Sequence, residues 1–130
     1  MSKRSEHTFQ FDSAVIAKAA EDEANYHEGR VEYWQAAQSQ AADVVKRTAT
    51  IELKEFDVTG GKRIDVGVNY GDMTAYRRLT EAYNKIQSHQ QDAERYRSDA
   101  EVYGTQNGRV YELDTDDVHH FRLHGGPRED

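Results

Sequence analysis

The segment that most constrains the fold is residues 48–70, which reads as a β-hairpin between two long helical patterns. Its second half has an apolar residue at every second position: Ile64, Val66, Val68 and Tyr70. This period of two is typical of a strand with one buried face. Gly60 and Gly61 precede it and supply the positive φ angles that a tight hairpin turn needs.

The first strand of the hairpin is less regular. Ile51 and Leu53 alternate in the same way, but the apolar positions then move to Phe56 and Val58. This change of face predicts a bulge near residues 54–55. Because a two-stranded hairpin is marginal in water by itself, we expect the flanking helices to cover it.

A helical pattern occupies residues 13–49, after an N-cap at Asp12 or Ser13. Apolar positions advance by three and four, which predicts one buried stripe. The predicted stripe of this first helix comprises Ile16, Ala20, Ala24, His27, Val31, Trp34, Gln38, Ala41 and Val45. Its length favours a coiled-coil arm.

A second helical pattern occupies residues 73–104, between an N-cap at Asp72 and a terminal Gly104. Its predicted stripe comprises Tyr76, Leu79, Tyr83, Ile86, Gln90, Ala93, Arg97 and Ala100. Two helices of similar length that are joined by a reversing hairpin can run antiparallel and cover each other's stripes. Several positions of both stripes are polar, which predicts modest stability.

The two ends of the chain carry short apolar segments. Residues 1–11 are predicted to be an arm whose apolar anchors are Phe9 and Phe11. A short strand at 109–113 is expected near this arm, because an antiparallel second helix ends far from the hairpin. Asp114 and the acids after it then cap a short helix that carries Val118, Phe121 and Leu123.

Together these patterns predict an α+β, predominantly helical fold. Two long antiparallel helices are joined by a β-hairpin, and a short C-terminal strand and helix follow. The predicted divisions are an N-terminal arm at 1–11, a helix–hairpin–helix domain at 12–104 and a C-terminal appendix at 105–130.

Composition excludes several classes of protein. The net charge of −7 opposes binding to nucleic acid, whose affinity comes mainly from neutralised phosphates. The chain has no cysteine, so it has neither disulfides nor thiolate sites. Its apolar runs are far shorter than the roughly 20 residues of a membrane span, and its start lacks the apolar core of a signal peptide. We expect no nucleic-acid or membrane partner, and a location in the cytoplasm or in a virion.

The densest set of potential metal ligands lies near the C-terminus: Asp116, Asp117, His119, His120 and His124. His120 and His124 stand four residues apart, as zinc ligands on a helix do, but the glutamate of the metalloprotease pattern is missing. We therefore predict a solvated or interface helix there. The acidic run at 21–23 is interpreted as a solvated helix face. The sequence predicts no catalytic residue, no cofactor and no metal site.

Aromatic residues favour a protein-binding role. Tyrosines recur at intervals of seven, and such a stripe serves either as seam packing or as a partner surface. The candidate partner-binding residues are Phe9, Phe11, Tyr26, Tyr33, Trp34, Val118, Phe121 and Leu123. The predicted function is a non-enzymatic assembly or adaptor module of coiled-coil type that binds protein chains, as a homo-oligomer or in a larger assembly. Its binding surface is predicted to be the aromatic stripe, the hairpin edge or the tails. Two alternatives stay open: an acidic inhibitor or immunity-type protein that blocks a basic surface, and an accessory subunit of an enzyme complex.

The order of elements resembles known architectures. The helix–hairpin–helix order at about residues 35–90 resembles the small head-to-tail joining proteins of tailed bacteriophages, whose helices are shorter. The full outline is similar to a prefoldin-type chaperone subunit, and the ending at 121–126 is similar to the carboxyl end of ubiquitin-like modifiers. No residue motif is shared with the phage proteins, so that resemblance implies no site residue. The first implies a structural component of a phage or bacterium.

Overall fold

A computed structural model describes residues 8–106, 108–125 and 128. The elements are β1 (Phe9–Asp12), α1 (Ser13–Thr48), β2 (Thr50–Val58), β3 (Gly61–Asn69), α2 (Met73–Gly104), β4 (Val110–Leu113) and α3 (Thr115–His120). The predicted fold class is confirmed: the chain is α+β and mainly helical, with two long helices joined by a hairpin and a short C-terminal strand and helix.

The chain divides into two compact units, and each long helix contributes to both. One unit holds the described residues up to Arg30 together with those from Ser88 onward, and is called the terminal unit here. The other, Val31–Gln87, is called the hairpin unit. The boundaries of these units differ from the predicted boundaries at residues 11 and 104. The predicted division into an arm, a domain and an appendix stays a prediction.

The core of the terminal unit brings both ends of the chain onto the helices. Ile16 and Ala20 of α1 are fully buried and pack with Leu113 and Phe121. Partly buried apolar residues surround this cluster: Phe11, Ala19, Tyr96, Ala100, Tyr103, Tyr111, Val118 and Leu123. The short apolar segments are therefore covered by helix ends of their own chain.

A two-stranded antiparallel sheet joins the two ends. β1 pairs with β4 in the register Phe9 opposite Leu113 and Asp12 opposite Val110. The predicted position of the C-terminal strand beside the N-terminal arm is thereby confirmed. Asp114 caps α3 by accepting a hydrogen bond from the backbone N–H of Asp117, which confirms the cap predicted from the sequence.

The core of the hairpin unit is smaller. Trp34 of α1 packs against Ala82 and Ile86 of α2, with Val31 and Ala37 at the edge of the cluster. The two helical segments run antiparallel in this unit, because Thr48 at the end of α1 bonds to Asp72 before α2, while the earlier Tyr33 bonds to the later Arg78. A groove of about 460 Å³, with four alanines among its ten lining residues, lies between the same segments on the side of Tyr33 and Arg78.

The predicted stripe of α1 is confirmed, because each of its residues is buried or half-buried. The predicted stripe of α2 is wrong at three positions: Tyr83, Gln90 and Arg97 are exposed, and their preceding neighbours Ala82, His89 and Tyr96 face α1 instead. Helices approach closely where side chains are small, so Ala82 takes the interface and the larger Tyr83 lies outside it. Within the described residues, no helix is long and apolar enough to cross a membrane.

Candidate functional site

The hairpin is fixed at its base by hydrogen bonds to both helices. The Oγ1 of Thr48, the last residue of α1, accepts a hydrogen bond of 3.0 Å from the backbone N–H of Asp72. Asp72 in turn caps α2 by accepting from Ala75 N–H at 3.1 Å. Between them Gly71 has φ +73°, and a Cβ atom there would collide with Thr48. The chain therefore leaves and re-enters the helices at one tightly closed point.

β2 and β3 pair in a single unbroken register, from Thr50 opposite Asn69 to Val58 opposite Gly61. The turn has positive φ angles at Gly60 (+93°) and Gly61 (+153°), which confirms the role predicted for these glycines. The predicted bulge at 54–55 is wrong. Phe56 lies on the opposite face from Leu53, and none of the residues that the structure describes covers either face, so burial does not require a change of register there.

Both faces of the hairpin are exposed along their whole length, since all nine residues of β2 and all nine of β3 are exposed. The expectation that the flanking helices cover the hairpin is wrong, and so is the buried face predicted for its second strand. There are two physical reasons. The base is tightly closed, so the strands continue away from the helix ends. The apolar stripes of the helices pack against each other and are not available to cover the strands.

One face of the hairpin is strongly apolar. Leu53 lies opposite Val66, with 67% and 65% of their surfaces exposed. Ile51 lies opposite Val68 on the same face, and Ile64 follows beyond Val66 toward the turn. We call these five side chains the apolar face: Ile51, Leu53, Ile64, Val66 and Val68. Exposed aliphatic side chains that adjoin one another in this way are typical of an interaction site.

The opposite face is mainly polar. Lys54 lies opposite Asp65, and the guanidinium of Arg63 lies 4.8 Å from the centre of the Phe56 ring. The two faces therefore differ in chemistry along the same pair of strands. This difference indicates that the apolar face, and not the hairpin in general, is suited to contact another molecule.

The structure places the eight predicted partner-binding residues in different environments. Trp34 and Phe121 are each only 5% exposed and belong to the two cores. Phe11, Val118 and Leu123 pack at the edge of the terminal core, and Tyr26 is half-buried. Phe9 and Tyr33 are exposed, but they belong to different units. Their role in partner binding stays a prediction.

A polar cluster occupies the helix interface of the terminal unit. The Nδ1 atoms of His27 and His89 lie 2.8 Å apart, and the Tyr96 ring stacks on His27. Burial lowers the pKa of His27, although the carboxylates of Asp92 and Glu23 oppose the shift. The His120 ring also stacks on Tyr96, and its Nε2 lies 3.2 Å from the Asp99 carboxylate. Burial raises the pKa of Tyr96.

The interpretation of residues 21–23 as a solvated acidic face is wrong at Glu23, which is only 3% exposed. Arg128 donates to the Glu23 carboxylate at 2.6 Å, and the guanidinium of Arg122 lies 3.3 Å from the same oxygen. A buried carboxylate is tolerated when it is paired in this way. The pairing holds the described part of the C-terminal segment against α1, which explains why an acid lies at this buried position.

The C-terminal histidines do not form a three-ligand cluster. α3 ends at His120, so His124 does not follow it on the same helical face, and its ring instead contacts His119 at 4.5 Å between centroids. Among the residues that the structure describes, no three His, Cys, Asp or Glu side chains lie close enough to hold a metal ion.

The sequence indicated the hairpin edge as one possible binding surface, but the apolar face was missed because alternation of apolar residues is the ordinary sign of a buried strand face. One signal in the sequence could have shown this. The two strands are long, while the apolar stripes of the helices cover each other and leave little apolar surface to cover a hairpin. Comparison of this chain with protein-family models, with curated proteins and with solved structures finds no match.

Proposed function

We propose that this protein is a non-enzymatic assembly or adaptor module whose β2–β3 hairpin is the element that binds another protein chain. The observation that carries the proposal is the exposure of the apolar face on a hairpin that the described residues of its own chain leave uncovered. This keeps the predicted class of function and selects the hairpin from the three binding surfaces that the sequence left open, which were the aromatic stripe, the hairpin edge and the tails.

Energetics supports the proposal. A two-stranded hairpin with no covering layer is marginally stable in water, and three or more strands or a packed helix are needed for independent stability. The hydrogen bonds at Thr48 and Asp72 fix only its base. A partner that covers the apolar face or extends the sheet would provide the missing layer, because burial of aliphatic surface is the dominant favourable term in protein association.

Geometry supports it as well. The base of the hairpin is closed by Gly71 and Thr48, so the strands project from a defined point at the end of two helices. Attachment at one closed point limits the directions in which the hairpin can extend, which reduces the entropy that is lost on binding. The predicted origin as a structural component of a phage or bacterium stays a prediction.

A matched pair of double variants tests the proposal. Leu53→Gln with Val66→Gln replaces one cross-strand pair of the apolar face. Lys54→Gln with Asp65→Gln replaces the adjacent pair on the polar face and leaves the net charge unchanged. The wild-type chain and both variants are immobilised, and proteins retained from the native host are identified, together with any copies of the chain itself.

We expect the chain to retain a protein that the polar-face variant also retains and that the apolar-face variant loses. Circular dichroism of both variants should show the helical content of the wild type. If every retained protein binds the two variants equally, the hairpin is not the binding element and the proposal is wrong.

A further inference from the structure

We infer that the chain pairs with a second copy of itself through the outer edge of β3, antiparallel and centred on Val66, so that two hairpins form one four-stranded sheet. The inference rests on the proposed function and names the partner of the same element. In the described part of the chain β2 and β3 form a sheet of two strands only, which leaves the outer edge of β3 without a strand beside it.

The backbone of β3 presents its hydrogen-bonding groups in the required positions. In an antiparallel pair, residues alternate between hydrogen-bonded and non-hydrogen-bonded pairs. Two turn residues separate Val58 from Gly61, so this closing pair is a hydrogen-bonded one. Counting from it, Ile64, Val66 and Val68 fall in non-hydrogen-bonded pairs, and their N–H and C=O groups point to the outer edge. If a second β3 pairs antiparallel with Val66 opposite Val66, its outward N–H and C=O groups can bond to those of all three residues.

The side chains are complementary in the same register. With Val66 opposite Val66 of the second copy, Ile64 lies opposite Val68 of that copy. These side chains share the apolar face, so the two faces join into one continuous apolar surface. On the other side of the sheet Asp65 lies opposite Gly67 of the second copy, and the two aspartates do not oppose each other. The register therefore places no like charges in direct opposition.

The outer edge of β2 does not offer this match. Its outward-facing groups belong to Ile51, Leu53, Glu55 and Asp57. A pairing centred on Leu53 places Ile51 opposite Glu55 of the second copy and interrupts the apolar surface. A pairing centred on Glu55 opposes two glutamates. The same rules of alternation and charge thus favour β3 over β2 as the shared edge.

Charge and edge chemistry favour a second copy as the occupant. The strands contain three basic and four acidic side chains, a net charge of −1 out of −7, so little like-charge repulsion opposes the meeting of two copies at the hairpin. Soluble proteins guard exposed edges with lysine, proline or bulges. β3 has no proline and no bulge, and between Ile64 and Asn69 its single charged side chain is Asp65.

Single cysteines test the register, because the chain has no native cysteine. Val66→Cys places two sulfur atoms across the two-fold axis, at a Cα separation of about 5.5 Å in a hydrogen-bonded pair, which a disulfide spans. Leu53→Cys is the matched control, since it lies opposite Val66 on the other edge of the same hairpin. We expect mild oxidation to give a covalent dimer of Val66→Cys and little of Leu53→Cys.

Single prolines test the edge. Val66→Pro removes an N–H group at the centre of the shared edge, and Leu53→Pro removes the equivalent group from the other edge at equal cost to the hairpin. Sedimentation equilibrium of the full chain should show a monomer–dimer equilibrium. We expect Val66→Pro to raise the dissociation constant about tenfold or more through lost hydrogen bonds, and Leu53→Pro to change it much less.

A wild-type chain that stays monomeric at all accessible concentrations would overturn the inference, as would a dimer that Leu53→Cys traps and Val66→Cys does not. If the chain is monomeric while a different protein is still lost from the apolar-face variant, the inference fails and the proposed function stands. If neither association depends on the hairpin, both fail.

Discussion

The Nδ1 atoms of His27 and His89 lie 2.8 Å apart between α1 and α2, so one ring donates a hydrogen bond and the other accepts it. A single proton between the two nitrogens satisfies both. Protonation of both rings would bring two N–H groups together in a half-buried site, where charge is poorly solvated. The pair therefore couples packing of the terminal unit to pH.

The first prediction is a loss of stability on acidification. Burial lowers the pKa of folded His27, so below its ordinary pKa of about 6.5 the unfolded state binds more protons. The contribution to stability is fully present above that value and is lost as pH falls through the lowered pKa of the folded state. Urea unfolding at neutral pH and at about pH 5 should show a smaller decrease for His27→Gln than for wild type. The exposed His119→Gln is the control and should behave as wild type.

The second prediction separates core residues from surface residues among the candidates for partner binding. Phe121→Ala should lower the free energy of unfolding by about 3–5 kcal/mol, because it removes a buried ring from the terminal core. Phe9→Ala should cost much less, since 46% of that side chain is exposed. Denaturant unfolding measures both. Equal effects would mean that Phe121 is not part of the core described above.

The third prediction concerns two glycines with opposite roles. Gly71→Ala should destabilise the protein by more than about 1 kcal/mol, because φ is positive there and the new Cβ would collide with Thr48. Gly29 lies inside α1, and a Cβ atom added there would meet nothing within 4 Å, so Gly29→Ala should stabilise the protein by about 0.5–1 kcal/mol. Thermal unfolding compares the two. A neutral Gly71→Ala would show that the hairpin base is not tightly closed.

The fourth prediction tests the interface of α2. Ala82 is fully buried against Trp34, so Ala82→Leu should cost about 1–3 kcal/mol through overpacking. Gln90 is exposed, so Gln90→Leu should change stability by no more than about 0.5 kcal/mol. The stripe drawn from the sequence predicts a gain from Gln90→Leu. Such a gain, together with a neutral Ala82→Leu, would restore that stripe.

Local patterns predicted the elements of this protein well. The start of α2 follows from the cap at Asp72, and its end from the terminal Gly104. α1 begins at Ser13, one of the two start positions that the sequence offers. The glycine turn of the hairpin and the position of β4 beside β1 also follow from sequence and chain direction. The caps and the turn depend on short-range geometry, which the sequence determines by itself, whereas the position of β4 follows from the direction in which α2 returns.

Tertiary structure decided which surfaces are covered. Alternation at Ile64, Val66 and Val68 shows that the strand has an apolar face, but not whether anything packs on it. Ala82 and Tyr83 fit the helical period nearly equally well, and the distance between two helices selects the smaller side chain. Glu23 is an acid like its two neighbours, and only the approach of Arg122 and Arg128 from the C-terminal segment makes its burial possible. Each outcome depends on residues distant in the chain, so local pattern alone does not determine it.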